Sequence, residues 1–148
     1  MSRPVFDMNV FIEYKNFITD YHFAKMALSS VVLYEMTATT IEKSEWQKYT
    51  TWRKVFTDLN RFLVPTAEDW WQSGKIASRI RHGEKSKAKG KTPKNLHTQK
   101  LQNDILIART AFAQKFFVVT SNLKDFQKIR QFLDVEVVAA KEYFETNS

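Results

Sequence analysis

The sequence predicts a three-layer α/β/α fold around a central, mostly parallel sheet of four or five short strands. Three observations predict it. Short, wholly apolar runs recur along the chain, among them Val5-Phe6, Phe62-Leu63-Val64 and Phe116 to Val119. Stretches with helical spacing separate them. Strands that are apolar on both faces and alternate with helices pair in parallel, with helices covering both sides.

The elements follow in order. Val5 to Asp7 reads as a buried strand feeding a helix from Asn9 to Tyr14. Ala27 to Val32 is a second apolar run, again leading into a helical pattern through Glu35. Between Ser44 and Arg61, Trp52, Phe56 and Leu59 recur at i, i+4 and i+7, which is one face of a helix. Phe62 to Val64 is a strand stopped by Pro65. Thr66, with Asp69 three residues on, opens the next helix in a capping-box-like way and carries it to about Arg81. His82 to Pro93 has two Gly, a Pro and no apolar period, and reads as a Lys-rich loop extending to about His97. Gln99 to Gln114 is helical, Phe116 to Val119 a strand, Thr120 to Asn122 a turn and Leu123 to Phe132 a helix. Val135 to Val138 is the last strand, before a short C-terminal helix.

Residues 1–148 fit a single domain, large enough for an ordinary hydrophobic core. The hydrophobic share of 43% and aromatic share of 14% are those of a globular chain rather than a disordered one. The absence of Cys excludes disulfides, zinc–thiolate sites and thiol nucleophiles. No run has the length of a membrane span and no signal-peptide core opens the chain, so a cytoplasmic, soluble protein is expected.

The net charge of +7 is concentrated. Residues 75–100 hold nine basic side chains and one acid, whereas the rest of the chain holds 14 basic and 15 acidic. A localised basic segment suits a polyanion, because each neutralised phosphate releases counterions. Arg81, Lys85, Lys87, Lys89, Lys91 and Lys94 are therefore candidate RNA contacts; a solvated loop is the simpler alternative.

In parallel sheets ligands sit beyond the carboxyl ends of the strands, and here those ends carry acids. Asp7 closes the first strand. Glu35 lies one or two turns into the helix after the second, beside Val31 and Val32. Asp104 shares a helix face with Leu101, Ala108 and Ala111, and a carboxylate turned to the core is costly unless a cation or donors meet it. Asp125 follows the strand and turn Val118 to Asn122. Four converging acids would repel one another unless a divalent cation sat among them. Mg²⁺ or Mn²⁺ suits such oxygen donors, and the chemistry implied is phosphodiester hydrolysis by metal-activated water. Each acid also has a purely structural reading: Asp7 as a helix N-cap, Glu35 as a dipole partner, Asp104 in a salt bridge with Arg109 or Lys100, and Asp125 as a surface charge.

The order of these segments resembles the PIN domain, and within it the VapC-type toxins. Asp7-Met8-Asn9-Val10 matches the family's Asp-Thr-Asn strand end, and Ser29 to Glu35 its Ser/Thr-rich run before a Glu. Asn103-Asp104-Ile105-Leu106-Ile107-Ala108 matches its Asn-Asp helix, and Val118 to Phe126 its last acidic turn. The resemblance spans about Val5 to Val138. It implies catalysis and metal binding by Asp7, Glu35, Asp104 and Asp125, with Asn9, Thr120 and Asn122 as supporting polar groups. It further implies a Mg²⁺- or Mn²⁺-dependent endoribonuclease, a small antitoxin partner and a homodimer. Two departures stand out: Met8 replaces the usual Thr or Ser, and Asn122 stands where many relatives have Asp. They keep open a catalytically silent, PIN-like RNA-binding or scaffold module.

Other features point elsewhere less well. His22, His82 and His97 lack metal-ligand spacing, and no Gly-rich phosphate loop or Gly-x-Ser-x-Gly elbow exists. A haloacid-dehalogenase-like phosphatase would want an acid two residues after its nucleophile, where Asn9 stands. Adjacent Trp70 and Trp71 must point apart on a helix, so one of them is expected to cover a surface used by a partner or a second copy.

Overall fold

The computed structural model describes residues 2–87 and 98–147, and the side chains of all of these except 84–87 and 98. Five strands, β1 (Pro4–Phe6), β2 (Leu28–Ser29), β3 (Phe62–Leu63), β4 (Phe117–Thr120) and β5 (Val137–Ala139), pair in parallel throughout. β1, β4 and β5 form one ladder and β2 with β3 another, and a parallel bridge from Val5 to Ala27 joins the two. The resulting order is β3-β2-β1-β4-β5. It reverses direction between β1 and β4, the switch point at which open parallel sheets leave a crevice.

Strand residues alternate between two cores. Val5, Ala27 and Val118 face one, packed against buried residues of the helices α3 (Ser30–Ala38), α5 (Ala67–Lys87), α6 (Thr98–Ala113) and α7 (Leu123–Arg130). Phe6, Leu28 and Val119 face the other, with Val10 of α1 (Met8–Glu13), Phe56 of α4 (Lys43–Asp58), and Tyr143 and Phe144 of α8 (Ala140–Thr146). The period of two in a strand sends successive residues to opposite faces, so a sheet covered on both sides takes mostly apolar strand residues, with polar ones such as Ser29 and Thr120 at the carboxyl ends. That is the three-layer arrangement expected from the runs.

Local chemistry sets the boundaries. Ser29 ends β2 and caps α3, its hydroxyl accepting from the amides of Val31 and Val32 at 3.1 and 3.4 Å. These two valines are therefore the first turn of a helix, not the end of a strand: a side-chain acceptor satisfies amides that a ladder would otherwise need to pair. Thr66 and Asp69 cap α5 reciprocally, each backbone amide donating to the other's side chain, at 2.9 and 3.1 Å.

α5 then runs on to Lys87, so residues 82–87 of the expected Lys-rich loop are helical. A helix already nucleated propagates through Glu, Lys and Arg without an apolar stripe. Residues 88–97 of that segment, including Lys89, Lys91, Lys94 and His97, lie outside the described residues. The helix α2 (Asp20–Lys25) was not signalled by periodicity. It is fixed instead by Thr19 and His22, which cap it reciprocally, and by His22 Nε2 lying 2.7 Å from the carbonyl of Asn147.

Two helices end without glycine. Asn60 and Lys115 take left-handed backbone angles, with φ of 55° and 65°. The amides of Arg61 and Phe116 then reach back to the carbonyls of Phe56 and Ala111, each at 2.8 Å. These are Schellman closures, and the second turns the chain from α6 directly into β4. No helix among the described residues is long and apolar enough to cross a membrane.

A candidate acidic active site at the switch point

Asp7 leaves β1 at the crevice between β1 and β4. Its amide donates to the carbonyl of Val119 at 3.0 Å, and its Oδ2 accepts from the Thr120 hydroxyl at 2.8 Å. Thr120, wholly buried, also accepts from the amide of Asn122 at 2.9 Å. The Asn122 side chain donates to Asp125 Oδ2 at 2.6 Å. Asp7, Thr120, Asn122 and Asp125 are thus linked by one continuous chain of hydrogen bonds, with Asp125 in the first turn of α7. Asn9 contributes its backbone amide, which with that of Met8 favours the ionised form of Asp7. The Met8 side chain is partly buried against the core.

Asp104 and Glu35 approach from the helices. Asp104 lies in α6 and is 2% exposed, and Glu35 is half-buried on α3. Asn103 Nδ2 donates to Glu35 Oε2 at 3.3 Å, and Lys100 Nζ stands 3.4 Å from Asp104 Oδ2. The remaining oxygens, Glu35 Oε1 and Asp104 Oδ1, are buried and accept no hydrogen bond. Buried carboxylate oxygens in that condition are costly unless something else meets them.

The electrostatics tie the group together. Burial pushes Asp104 up to about 7; Asp7 and Glu35 push in the same direction and Lys100 opposes them. Burial likewise raises Asp7 above the ordinary carboxylate range, against the Thr120 hydrogen bond. Glu35 rises by burial and by the charge of Asp7. For Lys100, burial pulls the ammonium down, but Asp104, Asp7 and Asp125 outweigh it and its pKa is raised.

Three acids, Asp7, Glu35 and Asp104, therefore feel one another, and Asp125 joins them through Asn122 and Lys100. Among the described residues no three acidic or histidine side chains are already drawn up around one point. Of the proposed basic contacts, Arg81 is on α5 and half-buried, while Lys85 and Lys87 belong to the same helix without described side chains.

One contact was not foreseen as part of the site. Asn103 holds Glu35, although it appeared in the motif only as a neighbour of Asp104. Of the two cations considered for Asp104, it is Lys100 that pairs with it; Arg109 Nε pairs with Asp69 Oδ1 at 3.0 Å. The spacing i, i+4 from Lys100 to Asp104 was the available signal. Trp70 and Trp71 are both exposed, at 53% and 65%, so α5 presents two indoles outward rather than one.

No family model and no curated protein matches the sequence. Solved structures do match, over nearly the whole chain. The DNA-bound VapBC of Salmonella typhimurium matches at a TM-score of 0.52 and 18% identity, over 95% of this chain and 99% of that one. VapBC2 of Rickettsia felis, bound to a DNA fragment from its promoter, matches at 0.54 and 20%, over 92% and 97%. FitAB bound to the IR36 DNA fragment matches at 0.51 and 18%, over 93% and 94%. At this identity the shared property is the fold: a PIN-like, three-layer α/β/α arrangement around a parallel sheet.

Proposed function

We propose that this chain is a metal-dependent endoribonuclease that hydrolyses RNA phosphodiester bonds, and that it is the toxin of a VapBC-like toxin–antitoxin pair. The observation that carries the reading is the pair of buried, unpartnered oxygens, Glu35 Oε1 and Asp104 Oδ1, beside Asp7 at the switch point. Unpartnered carboxylate oxygens are the donors a hard divalent cation takes, Mg²⁺ or Mn²⁺. Asp7, Glu35 and Asp104 would hold it, with Asp125 as the fourth acid.

Bound there, the ion would supply an activated water and offset the charge that builds on the phosphoryl group. The chain's own residues do the positioning. Thr120 fixes the Asp7 carboxylate, Asn103 orients Glu35, and Asn122 holds Asp125. The basic residues of the 75–100 segment would guide the RNA backbone. A small antitoxin protein would hold the enzyme in check, and a homodimer is expected, with the exposed Trp70 and Trp71 as its apolar face.

A second reading has its own observation. The Lys100 ammonium already faces Asp104, as it would in a catalytically silent, RNA-binding PIN-like module. Cleavage of a mixed pool of structured RNA separates the two. The nuclease predicts cleavage with Mn²⁺, none with EDTA, and none for a folded Asp104→Asn variant. RNA binding without cleavage under any metal selects the silent module. Growth arrest on expression without antitoxin tests the toxin assignment, and normal growth refutes it.

A further inference from the structure

Lys100 stands in the first turn of α6, where a cation opposes the positive end of the helix dipole. It is nonetheless held there, 3.4 Å from the Oδ2 of a carboxylate whose side chain is only 3% exposed. Its own side chain is 42% exposed, so the stem reaches inward from solvent and can swing back out. Asp7 and Asp125, on two other elements, act on the same ammonium. The other oxygen of Asp104 is buried and unpartnered, so Lys100 satisfies only half of that carboxylate.

We propose that Lys100 is the tethered counter-ion of the acidic cleft, holding Asp104 in the metal-free protein and competing with a divalent cation for it. The inference rests on the metal-site reading above and adds a residue to it. Without a metal, Asp7, Glu35 and Asp104 share one region of low dielectric, where uncompensated like charge is costly. A single ammonium on a flexible stem lowers that cost. A divalent cation on the free Oδ1 would stand across one carboxylate from the Lys100 ammonium on Oδ2, and two cations that close in low dielectric repel each other. Lys100 must then withdraw to solvent, which makes ion binding weaker than the acids alone would give. The chain thereby gains stability without metal at the expense of metal affinity.

The test is Mn²⁺ binding by titration calorimetry, with metal-free thermal melts alongside, on the wild type, Lys100→Met, Lys100→Gln and Asp7→Asn. The two Lys100 variants are expected to bind Mn²⁺ at least about tenfold tighter and to melt lower without metal. Asp7→Asn is expected to lose the binding, which locates the ion. Lys100 is half-exposed, and the Gln variant keeps a polar end should the Met variant fold poorly. Equal or weaker Mn²⁺ binding by the folded variants, with the wild type binding, overturns the role of Lys100 alone. Absence of binding in every variant and in the wild type overturns the metal site and the competition with it.

Discussion

Thr120 and Asp7 are 113 residues apart in sequence and joined by a 2.8 Å hydrogen bond, hydroxyl to carboxylate, across the point where the strand order reverses. The contact follows from register. Phe6 pairs with Val119, so the residues that follow each of them, Asp7 and Thr120, emerge side by side at the carboxyl ends of β1 and β4. Thr120→Val should remove this donor and the acceptor for Asn122 together. Urea unfolding should show a loss of about 1–3 kcal/mol, and metal-dependent cleavage should fall, while Thr120→Ser should retain both.

The metal-free protein should lose stability as pH rises. Asp104 keeps its proton up to about 7 in the folded chain, whereas the unfolded chain releases it near 3.8. Between those values the folded state binds more protons, so unfolding free energy declines with increasing pH. At about 1.4 kcal/mol per pH unit, the full change is on the order of 4 kcal/mol. Asp7 and Glu35, also raised by burial, add in the same direction. Melting temperatures in EDTA between pH 5 and pH 8 should fall, and Asp104→Asn should flatten the profile. A wild-type profile that rises over this range would contradict the assignment.

Arg109 and Asp69 should matter for stability rather than chemistry. Their 3.0 Å ion pair joins α6 to α5, with the Asp69 side chain 3% exposed and that of Arg109 18% exposed. Asp69 also accepts from the Thr66 amide. Arg109→Ala would leave a buried carboxylate without its cation, at about 3 kcal/mol or more. Denaturant unfolding should show that loss, with metal affinity of the folded fraction unchanged.

Ser29→Ala should weaken the seat of Glu35. The Ser29 hydroxyl accepts from Val31 and Val32 at the start of α3, and Glu35 sits one turn on. Removing the cap should cost about 1 kcal/mol in unfolding free energy. Metal-dependent cleavage should drop by a smaller factor than for Asp104→Asn.

The parallel sheet and its short strands were legible because their signals are local. Apolar runs such as Phe116 to Val119 mark buried strands, and Asp7 marks the carboxyl end of the first. The boundary between β2 and α3 was not legible, since Val31 and Val32 look the same in a strand or a buried helix; the Ser29 cap decides between them. The end of α5 was set too early, because a charged helix beyond the core has no apolar period. The short helix α2 rests on the contact between His22 and Asn147, at opposite ends of the chain, and nothing local announces it. The Schellman turns at Asn60 and Lys115 carry no glycine to mark them.

By itself the sequence determined which residue types stand at the strand ends, the alternation that requires both sheet faces to be covered, and the concentration of positive charge in residues 75–100. Those properties depend on neighbours along the chain. The tertiary structure decided which of two nearby cations faces Asp104, which oxygens stay unpartnered, and that Thr120 rather than a residue beside Asp7 supplies its hydroxyl. Such choices depend on strand register and on the burial around each group. Burial strengthens each Coulombic contact and raises the cost of each unpaired oxygen, and it exists only once the layers have closed.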